Sequence, residues 1–183
     1  MATLQKSIII LGVDPGTAIT GYGVIAYLPH KTEPIDYGCI RPPQTFSLHE
    51  RYLILYEALE ALIEKHKPQH ISIESQFVYK NAQSALKLGM AKGMAILAAT
   101  KKHIPIHEYA PKQAKLAVVG RGSATKEQVQ KMLQILLQLP SLPTPEDAAD
   151  ALALAICHAH HMQFQNTLTT RLAPCTNTSK APS

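Results

Sequence analysis

Tryptophan is absent from this 183-residue chain, and cysteine, phenylalanine and acidic side chains are scarce. The three cysteines (Cys39, Cys157, Cys175) are odd in number, far apart and without a C-x-x-C pair. That argues against a disulfide framework or a cysteine-based zinc module and suits a reducing compartment. No apolar run approaches the roughly 18 residues that span a bilayer. Ser7–Val13 is too short for a signal-peptide core and runs straight into Asp14 without a small-residue cleavage site. A cytoplasmic protein with no membrane partner is therefore expected. Acid is the scarcer charge: 13 Asp+Glu stand against 18 Lys+Arg, a formal net charge of +5. The excess is concentrated between residues 80 and 131, where Glu108 and Glu127 are the only acids among a run of lysines. Such a segment fits a polyanion partner, although a solvated lysine-rich surface has the same composition.

What is present is an ordinary globular core. Hydrophobic residues make up 46% of the chain, and the mean hydropathy is -0.03. One domain is expected over residues 1–164. The Thr/Asn/Ser/Pro-rich stretch 165–183 reads as a disordered tail. Ser7–Val13 is a β-branched run typical of a central buried strand, and Pro15-Gly16 breaks it. Gly21–Leu28, Ile35–Arg41, Gln69–Glu74 and Ile104–Tyr109 read as further strands. Three- and four-residue apolar spacing predicts helices over Leu48–Lys67, Asn81–Thr100, Ala124–Leu139 and Pro145–His161. Gly89 and Gly93 share one face of the second strand-flanking helix, which suggests close approach of another backbone. Three early strands followed by strand–helix alternation predict an α/β domain with a mixed five-stranded sheet, antiparallel first and parallel later.

The four aspartates are unevenly placed. Asp14 ends the most apolar strand, and Glu74 ends another. Asp147 and Asp150 lie three apart on one face at the start of a helix that is apolar nearly all round. Asp14 before Pro-Gly is also a turn aspartate, and Thr144-Pro145-Glu146-Asp147 is also a capping pattern with Asp147 at N3. Asp150 lies too deep in the helix to cap. Buried unpaired carboxylates are expensive, and a cation resolves the cost. Oxygen ligands of this kind suit Mg²⁺ or Mn²⁺ rather than Zn²⁺. Two such ions activate a water and stabilise the leaving oxygen of a phosphodiester. Glu108, with no second acid beside it, reads as structural. Cys157, His158, His160 and His161 cluster on the last helix, and Cys157 with His161 has i,i+4 ligand spacing, but solvated histidines at a helix end are the simpler reading.

The segments Ile9–Gly16, Thr20–Ile25, Ile73–Phe77 leading into Lys80-Asn81, Ser84–Gly89, Glu108–Ala110, Val118–Ala124 and Asp147–Ala153, in this order, resemble RuvC, the bacterial Holliday-junction endonuclease family. The resemblance spans about residues 7–162. It implies a ribonuclease-H-like fold, a homodimer, and Mg²⁺-dependent symmetric nicking of four-way DNA junctions in recombination and repair. By matching position it implies that Asp14, Glu74, Asp147 and Asp150 are the catalytic, metal-binding acids, with two Mg²⁺ per site and Mn²⁺ as a substitute. Phe77 matches an aromatic placed against junction bases, and Lys115 and Lys126 match positions that hold the DNA backbone. The helix bearing Gly89 and Gly93 matches the family's dimerisation helix, with packing inside the monomer as the alternative. Partnership with the RuvA–RuvB branch-migration complex is implied in the same way.

Ser75-Gln76 replaces a more usual Gln-Val, Pro111 and Lys112 vary from common family residues, and the tail has no counterpart. Two rival readings remain at this stage. Asp14-Pro15-Gly16-Thr17 also resembles the first phosphate loop of actin-like ATPases and sugar kinases, although one domain without a second such loop cannot close a nucleotide cleft. A catalytically inactive junction-binding module is the other.

Overall fold

The computed structural model describes residues 7–29, 31–75 and 81–172. Five strands, β1 (Ile8–Asp14), β2 (Thr20–Leu28), β3 (Lys31–Ile40), β4 (His70–Glu74) and β5 (Ile106–Tyr109), form one sheet in the order β3-β2-β1-β4-β5. The β1–β2 and β2–β3 pairs are antiparallel; β1–β4 and β4–β5 are parallel. This is the expected mixed α/β sheet. Pro34 is tolerated because β3 is an edge strand with no outer ladder to complete.

Helices cover both faces. On one side lie α1 (Leu48–His66) and α2 (Ala82–Lys101), which enclose Leu11, Val13, Val24, Ile71 and Ile73 with Leu59, Ile63 and Ala95. Helix α1 is held by a capping box at Ser47 and Glu50 and ends on Lys67 in the left-handed conformation. On the other side lie α3 (Pro111–Val119), α4 (Lys126–Leu136) and α5 (Glu146–Leu172), packed on Ile10, Ile25 and Tyr109.

Helix α3 was not legible as a helix in the sequence. It is short, but it carries two boundary signals: Pro111 at its first turn and Gly120 at φ +80 as its left-handed cap. Helix α5 differs from expectation at both ends. Ala148 and Ala149 N–H groups donate to the Pro145 carbonyl, so Pro145 rather than Thr144 occupies the cap position, and Asp147 is not at N3. At the other end the helix continues to Leu172. It thus runs past Gln165, where the tail is expected to begin; residues 173–183 lie outside the described residues.

Small residues set the position of α5. From Ala148 to Ala159 it is buried and alanine-rich. A Cβ on Gly12 of β1 would overlap the Ala151 carbonyl oxygen, and one on Gly21 of β2 would overlap that of Asp147. The helix backbone thus lies directly on the β1–β2 pair, bringing its first turns to the carboxyl end of β1.

Candidate active site

At that end of the sheet, strand register fixes the neighbours. Asp14 pairs with Gly21 on one side, and Val13 pairs with Ile73 on the other, so Asp14 and Glu74 stand on adjacent strand ends. Neighbouring strands are ~4.8 Å apart, close enough for both carboxylates to share a site. Helix α5 lays Asp147 over Gly21 and delivers Asp150 one turn later toward β4. Asp14, Glu74 and Asp150 line one cleft of about 290 Å³ together with Lys115 of α3 and Lys126 of α4. Asp147 is at its margin; its charge acts on Asp14 and Asp150, and also on Cys39 at the end of β3. A larger cavity of about 680 Å³, beside the β2–β3 turn and the end of α4, gathers no carboxylate cluster.

Burial and mutual repulsion dominate the electrostatics. Burial, followed by Glu74, Asp150 and Asp147, raises the Asp14 carboxyl from 3.8 to about 8. Burial and then Asp150 also raise Glu74, and burial raises Asp150. These carboxylates lack enough opposing charge to remain ionised together at neutral pH. The positive charge that is present comes chiefly from Lys126, whose Nζ lies 3.2 Å from Asp150 Oδ2 and 3.1 Å from Glu146 Oε2. Its ammonium is pushed up by those acids against an opposing desolvation effect, so it stays protonated. Lys115 donates to the Ala124 carbonyl at 2.9 Å and adds its charge to Asp150. Lys92, paired with Glu108 at 2.6 Å, acts on Glu74 from α2.

The four acids expected from the sequence thus meet at one end of the sheet, three in the cleft and Asp147 at its edge. Lys115 and Lys126, expected against a DNA backbone, also line the cleft, and Lys126 pairs with Asp150. No local pattern announced that pair, because α4 and α5 are joined only through the tertiary fold. Phe77 lies outside the described residues. Cys157 and His161 are not a ligand pair, in keeping with the simpler reading: Cys157 is buried in the core and His161 is exposed, while His158 turns inward to meet His70 and His107. The expectation of solvated histidines holds for His160 and His161 but not for His158, which is 1% exposed.

Comparison with known proteins decides what this carboxylate cleft belongs to. The family model for crossover junction endodeoxyribonuclease RuvC matches residues 10–158, a span that contains all four acids. The chain belongs to the RuvC family. Crossover junction endodeoxyribonuclease RuvC of Protochlamydia amoebophila is 60% identical over 156 residues, covering 85% of this chain and 93% of that protein. RuvC of Desulfitobacterium hafniense is 46% identical over 158 residues, covering 86% and 96%. Among solved structures, Thermus thermophilus RuvC in complex with a Holliday junction substrate superposes with a TM-score of 0.82 at 30% identity, covering 86% of this chain and 96% of that one. The fold is accordingly the ribonuclease-H-like one of RuvC. The actin-like ATPase reading is set aside, since the Asp14-Pro15-Gly16 turn lies within the RuvC match. Among the described residues no helix is long and apolar enough to cross a membrane.

Proposed function

We propose that this chain is a Holliday junction resolvase that nicks two opposed strands of a four-way DNA junction, with Asp14, Glu74, Asp147 and Asp150 as the catalytic acids. The observation that carries the reading is the cleft of half-buried carboxylates at the strand ends, within a RuvC fold that superposes on a junction-bound relative.

The donor set fits a hard divalent cation. Its atoms are all carboxylate oxygens, and the raised Asp14 carboxyl marks a site whose negative charge lacks a partner. Mg²⁺, two ions per site and replaceable by Mn²⁺, would be held by these four acids. When bound it supplies charge neutralisation and Lewis acidity to a phosphodiester and its attacking water. The chain's own residues do the rest. Partial burial of Asp14 and Glu74 lowers the local dielectric, which strengthens each charge interaction in the cleft. Lys126 pairs with Asp150 and Glu146 and so holds the α5 acid toward the cleft while placing a cation at its edge. Lys115 and Lys126 face an incoming phosphate from α3 and α4. Cleavage then leaves 5′-phosphate and 3′-hydroxyl ends that a ligase can seal.

A homodimer supplies the second, symmetry-related active site that paired nicking requires. Helix α2 is the surface for it. Leu86 (65% exposed), Met90 and Leu97 recur along one outward stripe, and a Cβ at Gly89 or Gly93 would meet nothing within 4 Å. The close approach expected at these glycines is therefore not made within the described monomer and is left for a partner helix. Phe77, following Glu74, is assigned to stacking on bases at the junction centre. Chromosomal DNA as substrate puts the enzyme in the cytoplasm, where RuvA–RuvB would present the junction.

The test is cleavage of a labelled four-way junction and a matched linear duplex, with Mg²⁺ and with EDTA. Symmetric Mg²⁺-dependent nicks on the junction alone are expected. Tight binding without cutting, across varied core sequences and with Mn²⁺, would reduce the chain to a junction-recognition module.

A further inference from the structure

The same face of the sheet that carries the acids holds a second convergence of ligating side chains, deeper along the molecule. His70 begins β4, His107 lies on β5 in register with Ser72, and His158 lies on α5. One ring nitrogen from each lies within 4.8 Å of those of the other two. His70 Nδ1 and His107 Nε2 are 3.1 Å apart, and the His107 and His158 rings stack with centroids 3.9 Å apart. Donors bound 2.0–2.1 Å from a tetrahedral ion are about 3.3 Å apart, so one pair already has close to that spacing, with the third nitrogen no more than 4.8 Å from either.

His70 Nδ1 and His107 Nε2 share a hydrogen bond, which an ion between them would replace, whereas the third ring has an unused nitrogen. His158 Nδ1 is 2.7 Å from the Tyr109 hydroxyl, while its Nε2 is buried with no hydrogen-bond partner. Ser72, between His70 and Glu74 on the same side of β4, also buries its Oγ without a partner. Buried polar atoms left unpaired are uncommon in folded proteins and point to a missing ligand. Burial, with His107 and His70 alongside, pushes the His158 ring down to about 3, and burial lowers His70 and His107 as well. The neutral imidazole is the form that ligates metals.

We propose that His70, His107 and His158 form a binding site for a transition-metal cation, Zn²⁺ foremost, separate from the carboxylate cleft. An all-nitrogen donor set is preferred by imidazole-seeking ions over Mg²⁺. With an ion on Nε2, His158 would donate its Nδ1–H to the Tyr109 hydroxyl 2.7 Å away, an outer-shell arrangement usual at histidine-ligated metals. Three protein ligands leave the fourth position to water. The ion would tie together β4, β5 and α5, the first and last of which carry Glu74 and Asp150. Four residue steps along the strand separate His70 from Glu74, about 13 Å, and eight steps along the helix separate His158 from Asp150, about 12 Å. The ion is thus a structural pin behind the acid cleft and takes no part in phosphodiester chemistry.

Co²⁺ titrated into the full-length, metal-stripped protein tests this, with excess Mg²⁺ present to occupy the carboxylates. The expected result is a visible absorption band of four-coordinate Co²⁺ that saturates at one ion per chain and is displaced by Zn²⁺. Zn²⁺ should also raise the thermal midpoint, because it binds only the folded chain. The band should persist in Asp14→Asn and vanish in His107→Ala. His70→Ala repeats the measurement should His107→Ala lose its native circular dichroism. A wild-type chain that gives no band overturns the proposal, as does a band that survives both histidine variants or disappears in Asp14→Asn.

Discussion

Asp14 is the residue on which the electrostatics of this protein turn. An unfolded chain ionises it near pH 4, whereas in the fold, without a cation, burial and three acidic neighbours hold its proton to about pH 8. Between those values the native state binds the extra proton, so stability without metal falls as pH rises, with Glu74 and Asp150 acting in the same direction. In EDTA, the urea midpoint should therefore decline from about pH 5 to pH 8, by a few kcal/mol at most, and Mg²⁺ should flatten the curve. A flat profile in EDTA would mean that the carboxylates are better solvated than the cleft indicates. Asp14→Asn should shrink this decline to the part contributed by Glu74 and Asp150, raise the metal-free melting temperature at pH 8, and cut junction cleavage by more than about a hundred-fold while junction binding persists. Lys126 answers a separate question. If it meets a phosphate as well as Asp150, Lys126→Gln should lower the slope of log binding against log salt by about one.

At the scale of elements, the placement of α5 decides the site. Its buried stretch offers little but alanine and leucine, and it reaches the sheet because Gly12 and Gly21 have no side chain to hold it away. Gly12→Ala should cost about 1–3 kcal/mol in urea denaturation, since the carbonyl it would strike belongs to a packed backbone with no rotamer to yield. The same variant should reduce cleavage more than folding, because a displaced α5 carries Asp147 and Asp150 with it. This coupling was only partly legible beforehand. The two acids three apart on a buried helix could be read from their spacing. The glycines of β1 and β2 gave no sign of which helix they admitted, since close approach depends on what the fold lays across them. Helix α3, with nine residues and a weak apolar stripe, was masked until Lys115 appeared beside the cleft.

For the whole molecule the question is assembly. The α2 stripe of Leu86, Met90 and Leu97 beside two open glycines leaves an apolar face that one chain does not cover. Replacing both Leu86 and Leu97 by Glu should leave monomer stability within about 0.5 kcal/mol, as for exposed positions generally. Sedimentation velocity should then show a monomer, and junction cleavage should fall to uncoordinated single nicks. Retention of the dimer would move the interface away from α2.

Taken by itself, the sequence determined most of the elements and the residue types from which the candidate site is built. Period-two and period-3.6 patterns are local, so the strands, the long helices and the positions of Asp14, Glu74, Asp147 and Asp150 could be read along the chain. The motifs around those acids carried the family as well. Tertiary structure alone decided who meets whom. It set Lys126 against Asp150, placed Asp147 at the edge of the cleft, and turned His158 inward to His70 and His107, residues tens of positions away. Such meetings depend on strand order and on the depth at which α5 packs, and neither leaves a trace in the spacing of residues along a single segment.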